Sequence, residues 1–127
     1  MYFDKAGIEN TEKTLELAFE RCKALGIGEV VVASTKGGTA FKALEIFKGI
    51  QVVVVTYHCG FKEPFKSIMP AEAKSELIRR GAAVVSATHA LSGVERAVAK
   101  KHSGIYPALL IADTLRLFGQ GVKVAVE

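Results

Sequence analysis

The sequence predicts an α/β fold built on a mostly parallel sheet with helices on both of its faces. Three observations carry this. Short, β-branched, almost uninterrupted apolar runs alternate with helix-period segments along the chain. Runs of that kind suit strands buried on both faces. The connections that follow them are short and glycine-bearing, which favours crossover units over hairpins.

Taken in order, Leu15, Ala18, Phe19, Cys22 and Leu25 recur at helical spacing, with Asn10 or Thr11 able to cap the start and Gly26 to end it. Glu12, Lys13, Glu16, Glu20, Arg21 and Lys23 form the charged face of this first helix. Residues 29–33 (EVVVA) read as the first strand, and Ser34 to Thr39 break it with two glycines. Residues 40–47 read as a helix with Phe41, Leu44 and Phe47 on or near its buried side, ended by Gly49. Residues 51–56 (QVVVVT) are the second strand.

A longer connection, residues 57–69, leads to Pro70, placed where proline costs a helix least. Ala73, Leu77 and Ile78 give that helix its apolar side, and Gly81 closes it. Residues 82–86 (AAVVS) are expected as the third strand. Residues 92–101 suggest a helix with Val94, Ala97 and Val98 facing inward. Residues 107–118 suggest another, apolar almost all round, and therefore deeply buried or part of an interface. Residues 122–126 (VKVAV) are expected as a fourth strand at an edge of the sheet or covered by another chain.

Composition bounds the function. A chain of 127 residues is one domain, large enough to bury a core without disulfides or metals. Its balance of 50% hydrophobic and 24% charged residues is that of a globular protein rather than a disordered or low-complexity one. No apolar run approaches the roughly 18 residues of a membrane span, and the amino terminus has no signal pattern. The expectation is a cytoplasmic protein with no membrane partner. Two cysteines, Cys22 and Cys59, lie far apart with no metal-ligand spacing, and Cys22 reads as a buried apolar thiol. The net charge of +4 comes from scattered lysines and arginines. Without basic stripes or interleaved aromatics, nucleic acid is not the expected partner.

In an open α/β sheet, ligands bind beyond the carboxyl ends of the strands. Three polar, glycine-bearing loops fall there: Ser34 to Ala40, Thr56 to Gly60, and Thr88 to Gly93. The first is the most informative. Ser34, Thr35, Lys36, Gly37, Gly38 and Thr39 precede a helix whose free amides and dipole favour an anion. It is neither a Walker loop nor a dinucleotide fingerprint. A plain strand-to-helix turn capped by Thr39 explains the same residues about as well.

His58 and His89 each follow a strand, with no third ligand at metal-site spacing, so no metal is expected. Cys59 beside His58 is no catalytic dyad, because neighbouring residues in an extended segment point apart. His102 reads as a cation at a helix end and Asp113 as a salt-bridged residue. Tyr57 or Phe61 can stack on a flat ring or on other aromatics. No set of residues assigns a catalytic step.

The combination resembles the carboxyl-terminal alpha/beta domain of pyruvate kinase. The strand, the loop Ser34-Thr35-Lys36-Gly37-Gly38-Thr39-Ala40, the helix, the next strand and Thr56 carry the likeness. The chain is still more similar to a small stand-alone family with that fold, mostly archaeal, without the catalytic barrel and of unassigned function. The shared stretches are residues 9–11, 33–40, 56–61 and 88–96. The resemblance implies a three-layer αβα fold and no pyruvate kinase activity. It also implies that residues 1–127 form a single such domain, lacking the family's last helix and strand.

For the site, the resemblance implies a flavin mononucleotide (FMN)-like cofactor, hence a flavoprotein. Ser34, Thr35, Gly37, Gly38 and Thr39 would take the phosphate, with Lys36 adding charge. Thr56, His58, Gly60, Thr88, His89 and Ser92 would line the ribityl chain and ring. The alternative is a non-catalytic regulatory module sensing a sugar phosphate. In either case the expected partner is a phosphorylated small molecule, and a homo-oligomer is compatible with both.

Overall fold

The computed structural model describes residues 2–127, the side chains of Ser92 and Glu95 excepted. After a 3-10 turn at Ile8–Asn10 the order is α1 (Thr11–Leu25), β1 (Glu29–Ala33), α2 (Gly38–Ile46), β2 (Gln51–Val55), α3 (Ala71–Arg79), β3 (Ala83–Val85), α4 (Ser92–His102), α5 (Pro107–Arg116) and α6 (Gln120–Val126). The described strands form one parallel sheet in the order β1-β2-β3. Val32 stands opposite Val54, and Val54 opposite Val84.

Strand alternation divides the valines between two faces. Val30, Val32, Val52, Val54 and Val84 turn to one side, where they join Leu15 and Cys22 of α1, Ala40 and Ala43 of α2, and Leu77 of α3. Two of these helices, α2 and α3, share a side because of the topology. Successive right-handed crossovers that step the same way along a sheet leave their helices on the same face. Phe47 closes this core, with its ring edge-on to Phe19 at 5.7 Å between centroids. Gly26, in the left-handed region at φ 66°, ends α1 as expected and lets its amide bond back to Cys22 and Lys23. Pro70 stands one residue before α3, as its N-cap.

Val31, Val53, Val55 and Val85 point to the other side. There they share a recess with Val124 of α6, so α6 is the helix that reaches the second face. Helices on both faces give the three-layer αβα arrangement. This second face is less covered: Val31 keeps 47% of its surface and Val85 43%.

The carboxyl-terminal segment corrects one expectation. Residues 122–126 form part of α6, not a fourth strand. In a helix, Lys123 and Glu127 lie one turn apart, and they form an ion pair of 2.8 Å with both side chains almost wholly buried. As a strand, the same residues would place Lys123 alone among valines with no charge to meet it. Gly121 of α6 lies beside Ala33, where an added Cβ would make ordinary contact with Ala33 Cβ at 3.7 Å. The third strand is also shorter than expected, at Ala83–Val85. The residues on either side of it turn toward α3 and toward the loop carrying His89.

α5 is amphipathic rather than deeply buried. Ala112 is enclosed, while Leu110 and Ile111 are exposed, as are Leu117 and Phe118 beyond its end. Asp113 pairs with Arg116, the salt bridge expected of it. No helix among the described residues is long and apolar enough to cross a membrane.

Candidate functional site

The site lies at the carboxyl edge of the sheet, where the ends of all three strands open into loops. After β1 the chain enters the glycine loop. Ser34 is buried, and its Oγ accepts the Ala40 amide at 3.4 Å, taking one of the amides that a helix start leaves over. Thr39 is therefore not the cap of α2. That position belongs to Gly37, held at φ 102°.

Phe41 explains why a glycine stands at residue 37. A Cβ there would lie 3.1 Å from Phe41 Cε2 and 3.7 Å from Ala73 Cβ of α3. The amides of Gly38 and Thr39, the first two residues of α2, stand at the helix start and have no acceptor one turn back within the helix. Thr35, Lys36, Gly38 and Thr39 line a cavity of about 400 Å³, with Ile8 and Thr11 from the amino-terminal turn and Lys42 one helical turn further on. Two ammonium groups and a helix start thus share one cavity, and no carboxylate among the described residues lines it.

Thr56 follows β2 and is 2% exposed. Its hydroxyl donates to the Thr35 carbonyl at 3.3 Å, so the second loop is tied to the first. Its own carbonyl lies 3.4 Å from His89 Nε2, which ties in the third loop. Ser34, Thr35, Thr56, Tyr57 and His89 enclose a narrower cavity of about 150 Å³, closed by Gln120, Gly121 and Val124 of α6.

Beyond it a third cavity, of about 270 Å³, is lined by Tyr57, His58, Phe61, His89, Gly93, Arg96 and Gln120. Aromatic rings dominate it. Tyr57 stacks on Phe61 at 4.3 Å and lies nearly parallel to His89 at 6.1 Å. His58 meets Phe61 edge-on at 5.5 Å.

The three cavities are neighbours that share walls. Ser34 and Thr35 border the first and second; Tyr57, His89 and Gln120 border the second and third. The result is a groove along the strand ends, cationic at one end and aromatic at the other. The pattern described as pyruvate kinase, alpha/beta domain, matches residues 12–127. The chain belongs to that family.

Within this pyruvate kinase alpha/beta domain, most of the residues singled out from the sequence come together. Thr35, Lys36, Gly38 and Thr39 line the first cavity, with Ser34 and Gly37 shaping its loop. Thr56 and His89 line the middle, and His58 joins His89 at the far end. Gly60 lines none of the three cavities. It turns the loop at φ 83°, with its amide bonded to the Lys66 carbonyl. Thr88 lines the recess on the second sheet face, which shares Val55, His89 and Val124 with the middle cavity. The Ser92 side chain falls outside the described residues.

Lys42, Arg96 and Gln120 are groove residues that sequence reasoning passed over. Lys42 had a signal, because it sits one turn into the helix that the glycine loop begins. Gln120 had none, since the residues that follow it, 122–126, alternate like a strand. Cys59 is exposed and Cys22 buried, and both are free thiols. Among the described residues, no group of three or more His, Cys, Asp or Glu side chains is placed to hold a metal ion.

Proposed function

We propose that this domain binds a phosphorylated small molecule along the groove, with FMN as the first candidate. The observation that carries the reading is the row of three cavities with shared walls, from a cationic helix start to a wall of stacked rings. An anion at the first end meets the Gly38 and Thr39 amides, the Thr35 and Thr39 hydroxyls, and the charges of Lys36 and Lys42. A planar group at the far end meets Tyr57, Phe61 and His89, where stacking of aromatic faces is favourable.

The donor set fits FMN on these grounds. Its phosphate suits the cationic end, its hydroxylated chain the polar middle beside Thr56, and its ring system the aromatic end. Bound there, the flavin would supply electron transfer; the residues of this chain would bind, orient and shield it. With free, unpaired thiols, we place the protein in the cytoplasm.

A second reading has its own support. The first cavity alone is the largest of the three and carries both lysines. A sugar phosphate needs no more than that, so a regulatory module without chemistry of its own would use the same loop.

The test is to record the visible absorption of the purified protein, and then its thermal stability with FMN or with fructose 1,6-bisphosphate. Flavin absorption, or stabilisation by FMN alone, supports the first reading. Stabilisation by the sugar phosphate alone supports the second. No shift with either contradicts binding in the groove.

A further inference from the structure

Arg96 is the one residue of the far cavity whose charge is not accounted for by the aromatic wall. It belongs to α4, one turn in from the start, and its guanidinium carbon lies 5.3 Å from the centre of the Phe61 ring. Phe61 is in turn stacked on Tyr57. A cation set over a ring in this way is restrained in position while its N–H fork stays available. Among the described residues, no carboxylate lines this cavity and none is paired with Arg96. Gly93, in the first turn of α4, lines the same cavity and brings the positive end of that helix to it. His58 and His89 add ring nitrogens from the opposite loops.

We propose that the far cavity is an anion subsite of its own, selecting a planar ring that carries a carboxylate or comparably electron-rich oxygen edge. The ring lies against Tyr57 and Phe61, and its oxygens meet the Arg96 fork. This deepens the groove reading. It makes the preferred ligand one with a phosphate at one end and an oxygen-bearing planar edge at the other, and it rests on the ring-binding half of that reading.

The two halves are separable by experiment. Benzoate is the probe for the far cavity, with benzyl alcohol as its neutral counterpart and inorganic phosphate as the probe for the glycine loop. Binding is followed by NMR, using the His58 and His89 ring protons for the far end and the Gly38 and Thr39 amides for the near end. Benzoate is expected to shift the histidine signals and benzyl alcohol to shift them far less.

Arg96→Gln is expected to weaken benzoate by about tenfold, the loss of a charge-assisted bidentate contact, with Arg96→Lys in between. Arg96 is exposed, so both variants should keep the native melting curve. The phosphate response at Gly38 and Thr39 is expected to survive Arg96→Gln. Equal shifts with benzoate and benzyl alcohol, or benzoate affinity unchanged by Arg96→Gln, would overturn the proposal. Silence of Gly38 and Thr39 toward phosphate, with the benzoate results as expected, would instead overturn the phosphate end and leave this subsite standing.

Discussion

Gly121 of α6 lies against Ala33 at the end of β1, close enough that a Cβ on Gly121 would stand 3.7 Å from Ala33 Cβ. That contact holds α6 over the strand ends, and through it Gln120 and Val124 close the middle of the groove. The distance is ordinary van der Waals contact, so one methyl fits and a branched side chain does not. Gly121→Ala is expected to leave the melting temperature unchanged or raise it, since alanine is favoured over glycine in a helix by about 1 kcal/mol. Gly121→Leu should lower it, by the roughly 1–3 kcal/mol typical of overpacking. Thermal denaturation of the two variants, side by side, checks this.

Gly37 offers the opposite case. Its φ of 102° disfavours any L-residue, and a Cβ would press on Phe41 at 3.1 Å. Gly37→Ala is expected to cost about 1–3 kcal/mol of stability in urea melts, the usual cost of a side chain forced into a sparsely populated backbone region. Phe41 has little room to yield, because Arg80 sits over its ring with 5.4 Å from guanidinium carbon to ring centre.

Arg80 also bonds Glu76, which holds the Glu76 carboxyl below its ordinary value of 4.5; Arg79 adds to the effect. A carboxyl with a lowered folded-state pKa contributes stability above its unfolded pKa and loses it as pH falls through the folded one. Glu76→Gln should therefore melt lower than wild type at neutral pH. The gap should close in acid, below the ordinary carboxylate value. Melting curves taken from neutral pH down to about pH 3 follow that convergence.

The Lys123–Glu127 pair has almost no solvent contact, at 0% and 2% side-chain exposure. Glu127 also receives the Leu91 amide at 3.4 Å, which links α6 to the start of α4. Removing one partner of a buried ion pair costs about 3–5 kcal/mol. Lys123→Met is expected to lose that much. Lys123→Met combined with Glu127→Leu should recover most of it, because apolar replacement of both partners is often close to neutral. Chemical denaturation of the single and double variants separates the two outcomes.

How far the sequence foretold this depends on where each element gets its stability. The valine runs of β1 and β2 and the glycines that end α1 and open α2 carry their own local signals, and those parts of the fold were legible. So was the loop Ser34 to Thr39 as a strand-to-helix turn, because its glycines break the strand just before α2. Val122 to Val126 misled for a physical reason. V-K-V-A-V alternates like a strand, and that alternation masks what accompanies the helix: the Lys123–Glu127 pair one helical turn apart and the tertiary contact of Gly121 with Ala33. Arg96 was illegible in the same way, since only the folding of the Tyr57–Phe61 segment brings an aromatic wall beneath it. Ser34 was placed in the right loop, but its hydroxyl turns inward to the Ala40 amide.

The central claim is that the glycine loop grips a phosphate while the rest of the groove holds the body of the ligand. The most direct test is titration calorimetry of FMN against wild type and against Thr35→Val combined with Thr39→Val. Thr35 is exposed and Thr39 half-buried, and neither side chain bonds another described residue, so the double variant should melt close to wild type. The account predicts measurable FMN binding to wild type, weakened at least about tenfold in the double variant, or roughly 1.4 kcal/mol. Riboflavin, which lacks the phosphate, should bind both proteins weakly and alike. FMN affinity that is the same in both proteins would contradict the phosphate grip.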